Sequence, residues 1–243
     1  MSKWIDKMKK FKNKLIAVLL VLVIVFILYK LIFPIVIYTD DYTAALYWDG
    51  AYLTDYKGKE KDVQIPNYIG IFPVVFIGGD CFKYTDTIET VVLPNNVRGI
   101  GEGAFSGCLY LKSVEASNIK IVEGCAFYST PRLERVELGG EVRTIGEGAF
   151  DGAHRLEKVD LGGKLQTIGM NAFAECYALT YIPSRSSLKE IGSYAFYGCE
   201  IEDPGDLTGI IVGEEAFVDC PWSESPNNAA SANYVDPEDE SEE

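Results

Sequence analysis

A short phrase recurs seven times at nearly constant spacing. It runs through a β-branched residue, three variable residues, Ala or Cys, and then Phe. Its copies are IGGDCF (77–82), IGEGAF (100–105), VEGCAF (122–127), IGEGAF (145–150), IGMNAF (168–173), IGSYAF (191–196) and VGEEAF (212–217). The closing phenylalanines are Phe82, Phe105, Phe127, Phe150, Phe173, Phe196 and Phe217, separated by 23, 22, 23, 23, 23 and 21 residues. Self-similarity at a fixed short period is the mark of a solenoid, because a unit this short cannot bury its apolar face alone and stacked copies can. The spacing predicts a mainly β solenoid of about seven turns over 77–220.

Each period can be read relative to its phenylalanine. Gly usually stands four before it, allowing a tight corner. Three after it comes a small residue: Thr85, Cys108, Thr130, Ala153, Cys176, Cys199 or Cys220. An apolar residue follows six after (Ile88, Leu111, Leu133, Leu156, Leu179) and nine after (Val91, Val114, Val136, Val159, Ile182). A further one stands eleven after (Leu93, Ala116, Leu138, Leu161), and that final spacing of two is a strand signal. The phenylalanines should form an internal column and carry no ligand chemistry.

The residues between these core positions are free to vary. Thr90, Ser113, Arg135, Lys158 and Tyr181 fall eight after successive phenylalanines; Val92, Glu115, Glu137, Asp160 and Pro183 fall ten after. Alternation places both series on the exposed face of a sheet as parallel ladders. An acidic row alone would repel itself, and Arg135 and Lys158 stand beside it to offset that. The face reads either as a mutually neutralised, solvated sheet or as a recognition surface. Thr90, Ser113, Glu115, Arg135, Glu137, Lys158, Asp160 and Tyr181 are the candidate partner-binding residues.

The ends of the chain differ from the middle. Residues 1–14 carry Lys3, Lys7, Lys9, Lys10, Lys12 and Lys14 against Asp6, a basic stub of +5. The whole chain is −14, so the remainder is −19, which excludes nucleic acid as a natural partner. Residues 15–37 are apolar apart from Lys30, and about 20 such residues cross a bilayer core as a helix. A lysine near the end of a span reaches the headgroups along its stem. A cleaved signal peptide opens with the same grammar, but this stretch is too long and no small-residue cleavage site follows. The lysine bias holds the stub in the cytoplasm and sends the repeats outward. The expected organisation is a stub (1–14), a signal-anchor helix (15–37), an N-terminal β cap (38–76), the solenoid (77–220) and a disordered acidic tail (221–243) ending in EDESEE.

The repeat resembles the BspA-like class of leucine-rich repeat. Residues 86–108, DTIETVVLPNNVRGIGEGAFSGC, follow the pattern of one turn of that class closely. Residues 51–82, AYLTDYKGKEKDVQIPNYIGIFPVVFIGGDCF, resemble its opening module: a tyrosine-rich hairpin, a V-x-I-P strand, and a turn leading to Pro-Val and the first Ile-Gly. The resemblance covers about 43–220. It implies a bacterial surface protein that adheres to or binds a protein or matrix partner. The alternative is a structural or envelope-assembly factor docking a membrane partner in the same cell.

Six cysteines in an exported chain invite a disulfide framework. Four share one repeat position, however, and parallel Cβ vectors fit a disulfide torsion poorly. Free, buried thiols acting as small apolar residues are the better reading. No Cys-x-x-Cys spacing supports zinc. His154 is the single histidine, just after a corner where an exposed residue is expected. No enzyme constellation, cofactor motif or small-molecule substrate site is legible.

Overall fold

The computed structural model describes residues 18–21, 34–184 and 186–223. The chain enters through β1 (Ile35–Tyr38), β2 (Tyr42–Tyr47) and β3 (Gly50–Tyr56), an antiparallel meander. It continues through β4 (Asp62–Gln64), β5 (Tyr68–Ile69) and β6 (Phe72–Ile77). From β6 onward it winds; each turn lays a short parallel strand on a first sheet, and the turns as far as β13 lay one on a second. The first sheet takes β8 (Gly99–Ile100), β10 (Ile121–Val122), β12 (Thr144–Ile145), β14 (Thr167–Ile168), β15 (Glu190–Ile191) and β16 (Ile211–Val212), all added to β6. The second takes β7 (Thr90–Val92), β9 (Ser113–Glu115), β11 (Arg135–Glu137) and β13 (Lys158–Asp160), added to β4. The solenoid expected from the spacing is present, with a cap that contributes an edge to both sheets.

The seven phenylalanines form one column. Adjacent rings lie 4.9–5.4 Å apart and within 3–13° of parallel. The separation follows from the strand spacing, about 4.8 Å, which stacks equivalent side chains directly over one another. Tyr56 extends the column 4.8 Å before Phe82, and Trp222 closes it edge-on, 5.1 Å beyond Phe217. Beside the rings, the Phe105 amide donates to the Ala126 carbonyl, Phe127 to Ala149 and Phe150 to Ala172. The corner is therefore a ladder in its own right. Its glycines are dictated by contact: a Cβ on Gly146 would lie 2.6 Å from the backbone of Glu123 and Gly124, and one on Gly213 2.4 Å from Ser193 N. In the short turn, Glu123 replaces this glycine and its carboxylate accepts the Glu102 N–H at 3.0 Å.

The cysteine position has a structural use. Cys108, Cys176, Cys199 and Cys220 each donate Sγ–H to the carbonyl of the phenylalanine one turn earlier, at 3.0–3.2 Å. Burial pushes the Cys108 thiol up to about 12 and the Cys220 thiol up to about 11. Cys125 departs from the expectation of buried thiols: it is exposed, at a corner position with φ 53°.

Two expected boundaries move. The helix expected over 15–37 does not reach its far end, because Ile35–Tyr38 is β1, paired antiparallel with β2. Pro34 and the β-branched residues after it favour extended backbone. Residues 18–21 are helical, and the rest of 15–33 lies outside the described residues. Among the described residues no helix is long and apolar enough to cross a membrane. At the other end, the acidic tail was expected from 221, but Trp222 belongs to the fold and covers Phe217; residues 224–243 lie outside the described residues.

Candidate functional site

The second sheet carries the candidate face. Its register aligns Asp62, Thr90, Ser113, Arg135 and Lys158 across five strands. The parallel row is Gln64, Val92, Glu115, Glu137 and Asp160. Val63, Val91, Val114, Val136 and Val159 point inward between the rows and are buried. The two ladders read from the sequence are neighbouring rows as far as Lys158 and Asp160; Tyr181 and Pro183 do not join the sheet, and Pro183 is buried. Asp62 and Gln64 were missed as the first rung; the D-V-Q alternation before Ile65-Pro66 was the available signal.

The rows are neutralised by contact. Thr90 Oγ1 donates to Asp62 Oδ1 at 2.7 Å. Glu137 accepts from Lys158 Nζ at 2.7 Å and lies 3.5 Å from Arg135. The Lys158 hydrogen bond, with a smaller pull from Arg135, holds the Glu137 carboxyl below its ordinary range. Asp160 turns aside to accept the Gly162 N–H at 3.1 Å. Glu115, on β9 at mid-sheet, is exposed between Val92 and Glu137. Alongside the face, Glu89 bridges Lys112 at 2.6 Å and Lys61 at 2.8 Å. Those two ammonium groups bring its pKa down to about 2. Sequence reading missed this triad because Lys61 comes from the cap.

Tyr181 occupies a different place from the other candidates. Among the described residues no strand follows β13 in this sheet, so the outer side of β13 would be an open edge. The Tyr181 hydroxyl accepts the Val159 N–H at 2.9 Å and donates to the Val159 carbonyl at 3.2 Å. One phenol thus occupies the two backbone groups that a next strand would have taken. Pro183 at the following rung lacks the N–H that a ladder needs.

His154 sits 3.5 Å from Glu175 and stacks on Tyr177 at 5.1 Å, on the phenylalanine corner. A groove of about 550 Å³ on the same corner is lined by Asp80, Lys83, Tyr84, Glu102, Cys125 and Tyr128. Partial burial, then Glu102 and Glu147, push the Cys125 thiol up, opposite to what activates a nucleophile.

The family model for the BspA-type leucine-rich repeat region matches residues 75–202 in six copies. The chain belongs to the BspA-type leucine-rich repeat family. A leucine-rich cell surface protein of Faecalibacterium prausnitzii has a similar structure, with TM-score 0.69 and 26% identity, covering 77% of this chain and 52% of that one. The leucine-rich repeat protein of T. pallidum gives TM-score 0.68 at 24% identity, covering 81% of this chain and 93% of that one. A leucine-rich repeat protein of Eubacterium ventriosum gives TM-score 0.66 at 20% identity, covering 79% and 51%. The last two show the shared fold alone. The chain spans about half the length of the F. prausnitzii and E. ventriosum proteins. A search of the curated proteins returns no match. The chain is thus a leucine-rich repeat module of the BspA type.

Proposed function

We propose that this BspA-type chain is a membrane-anchored, extracytoplasmic and non-catalytic binding module. Its second sheet would present the rows led by Asp62 and Gln64 to a protein or matrix partner. The observation that carries this reading is the register of the sheet. Five consecutive strands bring ten solvent-side positions into two straight rows of mixed charge, on a backbone fixed by the phenylalanine column. A rigid array of charged and hydroxyl groups specifies a partner at low entropic cost. Anchoring rests on residues 15–33, apolar apart from Lys30 and about 28 Å long if helical, just before Pro34. The lysine stub favours a cytoplasmic N-terminus.

The test is a binding series with purified protein against bacterial and host surface extracts, comparing wild type with Arg135→Glu/Glu137→Lys/Lys158→Glu and with Glu115→Arg. Circular dichroism confirms that each variant is folded. A loss of tenfold or more in affinity is expected for both. Undiminished binding would remove this face from consideration.

A further inference from the structure

We propose that the edge of the solenoid where the first-sheet strands begin rests on an anionic lipid surface; this builds on the anchored reading above. That edge carries Arg98, Lys120, Arg143, Gln166 and Lys189, the residues seven before successive phenylalanines. They are stacked by backbone hydrogen bonds of 2.8–2.9 Å, from Lys120 N to Arg98 O, Arg143 N to Lys120 O, Gln166 N to Arg143 O and Lys189 N to Gln166 O. The four cations are exposed. Lys164 on the same edge pairs with Glu141 at 2.6 Å, and Glu141 also feels Arg143 and Lys120.

The opposite edge, along the phenylalanine corner, is acidic, with Asp80, Glu102, Glu147, Glu214 and Asp219 exposed. A chain with net charge −14 therefore keeps a cationic line on one edge of its rod. Cations repeated at about 4.8 Å repel one another unless a counter-charge meets them.

What faces this line is set by where the chain enters. Ile35 pairs with Leu46, so β1 starts beside the β2–β3 tip. Arg98 donates to Asp49 in that tip at 2.9 Å. Asn96 donates to the Asn67 carbonyl beside β5 at 3.3 Å, which brings the β5–β6 turn to the same edge. Trp48 at the hairpin tip is 87% exposed and Ile71 in the β5–β6 turn is 84% exposed. β1, which follows the largely apolar residues 15–33 in the sequence, thus begins beside an exposed Trp, an exposed Ile and a row of cations. Trp belongs at the bilayer interface, and cations within a Debye length of anionic lipid are attracted to it. The rod would lie along the membrane with its acidic corner outward.

The full chain is reconstituted into vesicles of brominated phosphatidylcholine, with or without phosphatidylglycerol. Trp48 quenching is obtained by difference from Trp48→Phe. Quenching is expected to be stronger in the anionic vesicles than in the neutral ones, where the anchor alone keeps the tip near the bilayer, and equal quenching in the two overturns the proposal. The excess should be lost in Lys120→Gln/Arg143→Gln/Lys189→Gln. Trp48 unquenched on anionic lipid, or quenching unchanged by the triple variant, overturns the proposal. Resistance to carbonate extraction reports the anchor separately. If the chain is extracted, co-sedimentation with the same vesicles still decides. The triple variant should then partition roughly 100-fold more weakly, at about fivefold per cation, and equal partitioning overturns the proposal.

Discussion

The phenylalanine column implies that stability couples between adjacent turns and not beyond them. Phe150 stacks on Phe127 at 4.9 Å and on Phe173 at 5.1 Å, and all three rings are fully buried. Phe150→Ala removes a ring from a rigid column that cannot collapse, at a cost of about 3–5 kcal/mol. Phe150→Leu keeps most of the buried apolar area but forfeits two stacked contacts, at about 0.5–1.5 kcal/mol each, for a total of about 1–3 kcal/mol. The decisive comparison is a pair of double-mutant cycles with Leu, read from midpoints of guanidinium unfolding at unchanged slope. The adjacent pair Phe150/Phe173 should show a coupling of about 0.5–1.5 kcal/mol. The pair Phe127/Phe173 is separated by the Phe150 ring and should be additive within about 0.5 kcal/mol. Equal coupling in both pairs would refute a nearest-neighbour column and indicate one undivided core. Absence of coupling in the adjacent pair would show that the rings contribute by area alone.

Three further outcomes follow from named contacts. Tyr181→Phe removes both hydrogen bonds to Val159 and should cost about 1–2 kcal/mol; faster hydrogen exchange of the Val159 amide would localise the effect. The folded pKa of Glu89, at about 2, lies below its unfolded value, so its stabilisation is complete above the ordinary glutamate range and fades as pH falls from there toward 2. Glu89→Gln should therefore flatten the acid side of the stability profile, and an unchanged profile would contradict the bridge to Lys61 and Lys112. In native protein a water-soluble thiol reagent should modify Cys125 well ahead of the five buried cysteines, with all six reacting in denaturant; early labelling of Cys108 or Cys176 would contradict their hydrogen bonds to Phe82 and Phe150.

The architecture was legible because every turn repeats the same physical demand. Ile or Val, Gly, Ala, Phe and Leu recur where backbone approach and burial leave no alternative, and the two sheet rows follow by alternation. What escaped the sequence lies where the period fails. Tyr181 matches the ladder position by count, but no strand forms there and its hydroxyl takes over the edge of β13. Asp62 joins the face from the cap, which has no period to count. Trp222 reads as the start of a polar tail, yet its indole closes the column. The basic edge was hidden differently. Its residues are spaced as regularly as the phenylalanines, but the repeat pattern gives the position seven before each ring no structural demand, and net charge concealed its sign.

The dimensions of the candidate face constrain any partner. Five strands at about 4.8 Å and three residues at about 3.3 Å give a patch on the order of 200 Å². A stable interface buries about 800 Å² on each side. The rows from Asp62 to Asp160 cannot hold a partner tightly by themselves. A partner must either continue over the Lys61–Glu89–Lys112 flank and the neighbouring edge, or bind weakly and gain strength from many copies on one surface. The proposed membrane anchor would favour the second arrangement, because copies confined to a plane act at high effective concentration. Monomeric protein in solution should then bind at least tenfold more weakly than the same protein displayed densely on a vesicle. Equal affinity in the two formats would place the contact on a larger surface than this sheet.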